Sequence, residues 1–377
     1  MIVLTVNTGS TSVKLAAFRV DDEGGEAGPA GRLAARHLQG GQSDPVAALG
    51  AFLGELAAPP DVIVHRVVHG GTRFAGPSLI DDPTREAIAA LSELAPLHNP
   101  VALRWIDAAR AACGAAVVQV ATFDTAFFSS LPRIAAEYAL PPHLGVELGV
   151  RRYGFHGLAH EAMWRRWREL EPRLADGGRL ISLQLGGGCS MAALDRGRPR
   201  DTSMGFSPLE GLMMETRCGD VDAAIVPYLE RRLGVSGERV VEMLNQNSGL
   251  AGVAASPLDP HALLALKTDQ AQFAVELYCY RARKYLGAYL AVLGGCDGIA
   301  FGGGVGEHVS EVRASILAGL EWAGIEVDPT ANRAAKGTES RISAAGSRVQ
   351  VWVLPVDEEL LMVRAARTVA KLPRKAT

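Results

Sequence analysis

The stretch IVLTVNTGSTSVKLAAF, Ile2–Phe18, sets two arms of β-branched and apolar residues around a polar turn, Asn7-Thr8-Gly9-Ser10. Such arms favour extended backbone and the glycine permits a sharp reversal, so the stretch predicts strand, turn, strand. The plan returns in the second half. Arg179–Leu185 runs into Gly186-Gly187-Gly188, Cys189–Leu194 leads out again, and Asp195-Arg196-Gly197 reads as the next turn. A strand, Gly/Ser turn, strand unit used twice points to two related domains.

Outward from these units, apolar runs at Asp61–Val68, Val117–Phe123, Gly298–Phe301 and Val349–Leu354 read as strands. Helical spacing covers Pro45–Leu56, Thr84–Leu94, Val101–Ala112, Asp220–Leu233, Gly237–Asn247, Ala271–Leu293 and Asp357–Leu372. A further helix is expected to restart near Glu307, whereas Asp21–Asp44, rich in Gly, Ala and charge, reads as a surface hairpin or variable loop. Strands alternate with helices, which makes this an α/β chain.

The chain has 377 residues, 48% of them hydrophobic and 21% charged, with a formal net charge of -3. That length suits two domains, and the near-neutral balance offers no basic face to nucleic acid. A β-like run directly after Met1 leaves no room for a signal peptide. The most apolar stretch, Tyr285–Leu293, is too short to span a bilayer, so no membrane partner is expected. The five cysteines are odd in number and never spaced C-x-x-C. This argues against a disulfide scaffold or zinc site and for a reducing cytoplasm. Cys189 and Cys218 read as small residues rather than nucleophiles.

Three glycine-rich elements follow strands: NTGSTS (Asn7–Ser12), LGGGCS (Leu185–Ser190) and FGGGVGE (Phe301–Glu307). Glycines admit a ligand close to the backbone, and successive N–H groups form an anion-binding nest. At the third a helix N-terminus would add its dipole. One such turn alone is commonplace; three together point to a nucleotide or phosphate site. It is neither a P-loop nor a dinucleotide fingerprint.

The charged candidates each carry two readings. Arg66 and Arg217 suit structural ion pairs, and equally carboxylate or phosphoryl oxygens. Asp124, ending a strand, is a helix cap or a functional carboxylate. His156 stands between two glycines, an odd place for a core histidine. His160 invites a metal pair with it, but the H-E-x-x-H arrangement is absent. Glu358 is favoured by the dipole of the last helix, or serves as a Mg²⁺ ligand, direct or through water.

Together the strings VNTGSTSVK, HRVVHGG, APLHNP, FDTAFF, RRYGFHGLAH, LGGGCSMAAL, DTSMGFSPLEGLMMETRCGDVD, FGGGVGE and PVDEELLMVR resemble the acetate kinase family, within the actin, sugar kinase and Hsp70-like superfamily. They stand in the family's order from residue 3 to residue 364. The resemblance implies two actin-like (ribonuclease H-like) domains with the active site in the cleft between them. The first would comprise residues 1–128 plus 359–377; the second, residues 129–358, would bind nucleotide and dimerise. It implies a cytoplasmic homodimer that phosphorylates acetate from ATP, giving acetyl phosphate and ADP, with Mg²⁺.

Carried over by position, Asn7 and Lys14 would belong to the phosphate region, and Asn7 with Glu358 to the metal. Arg66 and Arg217 would bracket the carboxylate and the phosphoryl group. Asp124 would organise arginine and metal, and His156 would hydrogen-bond the phosphoryl in the transition state. Val68, Leu97, Phe155 and Pro208 would line an apolar pocket for the acyl tail. Gly186, Gly187 and Gly188 would face the phosphates, and Gly302, Gly303, Gly304 and Gly306 the adenosine. Transfer to a carboxylate needs no general base, since the nucleophile is already an anion; the difficulty is bringing two anions together.

The chain departs from the family's pattern in places. Gln184 and Gly187 stand where the family has His and Asn, Glu215 where it has Gly, His308 where it has Asn, and Val356 where it has Thr. These changes are drift or altered specificity. Another short carboxylate such as propionate or butyrate, another phosphoryl donor, and a non-catalytic sensor of nucleotide or acyl phosphate are the alternatives.

Overall fold

The computed structural model describes residues 1–9, 12–20, 30–39, 44–114, 116–257 and 259–370. Ser10 and Thr11 of the first glycine turn lie outside the described residues, as do 21–29 and 40–43 of the stretch read as hairpin or loop. The chain divides into two compact units, Met1–Ser129 with the C-terminal segment from Asp357, and Ser130–Val356.

The first unit holds β1 (Ile2–Thr8), β2 (Ser12–Val20), β3 (Ala30–Gln39), β4 (Val62–Val67), β5 (Ser78–Leu79) and β6 (Val118–Phe123), in the order β3-β2-β1-β4-β6-β5. Strands β1, β4 and β6 are parallel, while β2, β3 and β5 are antiparallel to their neighbours. Both faces of β1 are covered, which explains its largely apolar run without polar alternation. Leu4, Val6, Leu15 and Ile63 pack with Leu49, Phe52 and Trp105 in one core cluster. Val67 and Phe123 pack with Phe74, Ile88 and Ile106 in another. The last described helix, Glu358–Val369, lies on β1, β4 and β6. Asp357 caps it by accepting from the Leu360 N–H at 3.1 Å.

The second unit holds β7 (Arg179–Leu185), β8 (Cys189–Asp195), β9 (Arg198–Thr202), β10 (Gly298–Gly302), β11 (Ser340–Arg341) and β12 (Gln350–Val353), in the order β11-β12-β10-β7-β8-β9. With β7 to β12 set against β1 to β6 in turn, this is the order of the first sheet. The parallel trio is β7, β10 and β12. The repeated unit read in the sequence is therefore a repeated sheet. Helix Asp269–Leu293, capped by the Thr268 hydroxyl, packs on β7, β8 and β9, and helix Gly157–Leu170 packs on β7 and β10.

Several boundaries differ from expectation. The helix expected over Asp220–Leu233 begins at Ile225. Asp220 is engaged elsewhere, accepting from the Gly211 N–H at 2.9 Å and the Tyr285 hydroxyl at 2.7 Å. The helix expected near Glu307 begins at Gly303. Strands β5, β9 and β11 and helix Gly157–Leu170 carry no expectation from sequence.

Candidate functional site

Three parallel strands of the first unit end together, and each delivers one polar side chain. Asn7 and Arg66 follow the last register pair of β1 and β4, Val6 with His65. Asp124 follows β6, its N–H donating to the Val67 carbonyl at 3.1 Å. The carboxyl ends of parallel strands are where open α/β sheets bind ligands.

Arg66 is the hub. Its Nε and Nη2 donate to the two oxygens of Asp124 at 2.9 and 2.7 Å. Its Nη1 donates to Asn7 Oδ1 at 3.1 Å and to Glu358 Oε2 at 3.3 Å. Asn7 Nδ2 in turn donates to Glu358 Oε2 at 2.8 Å and Glu359 Oε1 at 3.4 Å. The arginine side chain is 11% exposed and that of Asp124 1%. Burial alone would lower the guanidinium's pKa, but Asp124, Glu358 and Glu359 outweigh it and hold the pKa above its ordinary value. Burial raises that of the Glu359 carboxyl, against the pull of Lys14. Of the five guanidinium N–H groups, one on Nη2 is left over from these four bonds.

The second unit builds a different arrangement. His156 takes φ 58°, ψ 29° at the head of helix Gly157–Leu170, a left-handed backbone that costs a non-glycine residue about 1 kcal/mol. Its Nδ1 lies 2.8 Å from Ser190 Oγ. A Cβ on Gly188 would meet His156 Nε2 at 3.2 Å and Arg217 Nη1 at 3.6 Å, so both groups converge on the Gly186–Gly188 turn. Arg217 donates Nη1 to the Pro208 carbonyl at 3.3 Å, with Met214 Sδ at 3.6 Å, and has no carboxylate partner among the described residues. Burial accordingly pushes its pKa down. A half-buried cation facing a carbonyl and a sulfur is short of an anion.

The third glycine turn is tighter than the sequence suggests. A Cβ on Gly302 would meet Val356 Cγ2 at 2.5 Å, and Gly303 has φ +77° with the Leu185 carbonyl 2.6 Å from its Cβ position. These two are glycine for packing; Gly304 alone of the three faces open space. The Gly303 N–H is already taken by Glu307 Oε1 at 2.9 Å, which also accepts from the Val356 N–H at 3.2 Å. The dipole expected here is thus met by the chain's own carboxylate.

A profile described as the Acetokinase family matches residues 51–364. The chain belongs to the acetokinase family. A protein named acetate kinase from Solibacter usitatus is 46% identical over 304 residues, covering 80% of this chain and 73% of that one. The crystal structure of Porphyromonas gingivalis acetate kinase shares 32% identity with a TM-score of 0.87, covering 98% of this chain and 100% of that one. A propionate kinase from Francisella tularensis shares 30% with a TM-score of 0.86, covering 98% and 99%. The fold is α/β with two actin-like sheets, as in these acetokinase structures.

The remaining candidates of this acetokinase chain divide between the units. Val68 is buried just beyond β4, and Leu97 is 61% exposed. Phe155 is buried beside His156, and Pro208 lends its carbonyl to Arg217. Lys14 stands opposite Asn7 on β2. All five cysteines are free. Burial pushes the Cys189 thiol up to about 11 and raises Cys218 as well, so neither is poised as a nucleophile. His160 is fully buried between Ser182 and Ser190, which removes the metal-pair reading.

Sequence reasoning passed over Asn99, Thr125, Ser190, Glu307 and Glu359. Asn99 exchanges two hydrogen bonds with the His69 backbone, at 3.1 and 3.0 Å, and Thr125 Oγ1 accepts from the Gly70 N–H at 2.9 Å. The strings HRVVHGG, APLHNP and FDTAFF are thereby tied into one loop cluster behind Arg66.

No group of three or more His, Cys, Asp or Glu among the described residues could hold a metal alone. Mg²⁺ typically takes one or two carboxylates and completes its shell with water and phosphate. Glu358, 15% exposed and bonded through Oε2 to Asn7 and Arg66, fits that single-carboxylate role.

Proposed function

We propose that this chain is an acetate kinase, moving the γ-phosphoryl group of ATP onto acetate, reversibly, to give acetyl phosphate and ADP. The observation that carries this reading is Arg217, a cation without a carboxylate partner among the described residues, converging with His156 on the Gly188 turn. In the same reading Asp124 fixes the guanidinium plane of Arg66, which offers its remaining N–H to an acetate or phosphoryl oxygen. Asn7, its amide tied to Arg66, Glu358 and Glu359, would brace that arginine in the phosphate region, with Lys14 alongside. Arg217 neutralises charge on the equatorial oxygens of the transferring group, and His156 donates a hydrogen bond to one of them. No general base is called for, since acetate is already the nucleophile. Mg²⁺, bound through Glu358 and Asn7, would supply charge neutralisation on the triphosphate.

Val68, Leu97, Phe155 and Pro208 would exclude water from the methyl group, and Gly186–Gly188 and Gly302–Gly306 would lie against the nucleotide. The working form would be a cytoplasmic homodimer. A hydroxamate trap across acetate, propionate and butyrate, with ATP, GTP and pyrophosphate as donors, tests the assignment. Acetyl hydroxamate with ATP is the expected product; none with any pair would overturn it.

A further inference from the structure

Behind His156 lies a row of buried side chains. His160, 0% exposed, places Nδ1 2.7 Å from Ser182 Oγ and Nε2 2.8 Å from Ser190 Oγ. Ser190, equally buried, reaches His156 Nδ1 at 2.8 Å. The direction of the hydrogen bonds follows from counting donors.

Ser182 has one side-chain partner among the described residues, His160 Nδ1. A buried hydroxyl proton needs an acceptor, so Ser182 donates and Nδ1 accepts. Burial, then His156, holds the His160 pKa well below its ordinary value, so the ring is neutral and has one N–H. With Nδ1 accepting, that N–H is on Nε2 and donates to Ser190. Among the described residues the Ser190 hydroxyl meets only the two histidines, and having accepted from one it donates to the other. His156 Nδ1 therefore accepts. The opposite direction strands the Ser182 proton in the core, which disfavours it by on the order of tenfold or more.

We infer that Ser182, His160 and Ser190 form a one-way hydrogen-bond relay that keeps the His156 proton on Nε2, the ring nitrogen beside Gly188 and Arg217. Ser190 is its key positioning residue. The relay makes His156 a neutral donor with a fixed aim, suited to an equatorial phosphoryl oxygen, and in that respect it rests on the acetate kinase reading. It also explains why a histidine occupies a left-handed position: the ring is held from behind at one nitrogen and presented forward at the other.

Histidine-selective ¹⁵N NMR of the native full-length chain decides the matter, with His156→Gln assigning the signals. The expected spectrum has a pyridine-type Nδ1 and a pyrrole-type Nε2 for His156. Ser190→Ala is expected to mix the tautomers and lower kcat by about tenfold or more, the worth of one aligned hydrogen bond, with KM for acetate little changed. Ser190→Thr, which keeps the hydroxyl, should restore both. A native His156 protonated on Nδ1 overturns the relay, as does a Ser190→Ala enzyme with native tautomer and native kcat. If Ser190→Ala fails to fold, the native spectrum still decides. If His156→Gln turns over normally, the phosphoryl role of His156 fails while the spectrum judges the relay separately.

Discussion

Arg66→Ala should damage stability and turnover by separable routes. The arginine makes two hydrogen bonds to Asp124 and one each to Asn7 and Glu358. Its loss takes from Asp124, 1% exposed, the two charge-assisted hydrogen bonds that Arg66 supplies. Breaking a buried pair from one side costs about 3–5 kcal/mol. The lost phosphoryl or carboxylate contact costs about 2.7–4 kcal/mol in the transition state, roughly 10²–10³ in kcat. Arg66→Ala combined with Asp124→Asn removes the buried charge that Arg66 offsets, so most of the stability should return while kcat stays at least about a hundredfold low. Urea melts give the first quantity and hydroxamate-trapped acetyl phosphate the second. If the double variant regains turnover along with stability, the arginine is a structural tie and the role assigned to it is wrong.

Arg217→Ala should behave in the opposite sense: with no carboxylate partner among the described residues to strand, stability should hold or rise while kcat falls by about 10²–10³. A large loss of stability in that variant would mean that the arginine holds the fold. Glu215 Oε2 lies 2.8 Å from the position a Cβ on Gly187 would take, so the two residues share one volume. Gly187→Asn with Glu215→Gly should therefore raise kcat/KM for ATP where Gly187→Asn alone does not; unchanged values for ATP, GTP and pyrophosphate would clear these positions of any part in specificity. Glu358→Gln should raise the Mg²⁺ concentration for half-maximal rate by about tenfold, and an unshifted Mg²⁺ titration would remove it from the metal. Burial lowers His65 and His69 to about 4 each from 6.5, and holds His160 well below its ordinary value too. The unfolded chain thus binds more protons below pH 6.5, so this stabilisation is full above 6.5 and is lost as pH falls towards 4. Melts across that window should show the decline, and His65→Gln should make it shallower.

The apolar runs that became β1, β4, β7 and β10 were legible because both their faces are covered, which leaves no polar alternation to obscure them. The two-residue strands β5 and β11 carry no periodicity to read. The roles of single residues divide in the same way. Arg66 and Asp124 were conspicuous as charges at the ends of apolar strands. Ser190, Glu307 and Asn99 are common residue types whose importance lies in contacts 12 or more residues away, or in one loop closing on itself, and spacing does not report such contacts. Gly302 and Gly303 are legible as glycines, but their packing against the Val356 side chain and the Leu185 carbonyl is not.

The repeated sheet explains why the two arginines differ. At the ends of β1, β4 and β6 the chain places Asn7, Arg66 and Asp124, a set whose charges satisfy one another. The corresponding ends of β7, β10 and β12 carry Gln184, Gly302 and Leu354, a neutral set, with Gln184 and Gly302 paired in register. Nothing in that trio can neutralise Arg217, which comes from the loop after Met214 and among the described residues donates to a carbonyl and a sulfur. One copy of the fold has spent its strand ends on holding a guanidinium in place; the other has kept them neutral and left a guanidinium wanting an anion. A pre-oriented arginine tolerates a ligand at little cost, whereas an unpaired one gains from it. Anion binding should therefore raise the melting temperature of the native chain by mass action, and that gain should vanish in Arg217→Ala while persisting in part in Asp124→Asn. Equal gains in all three proteins would place the anion elsewhere and remove the asymmetry as an explanation.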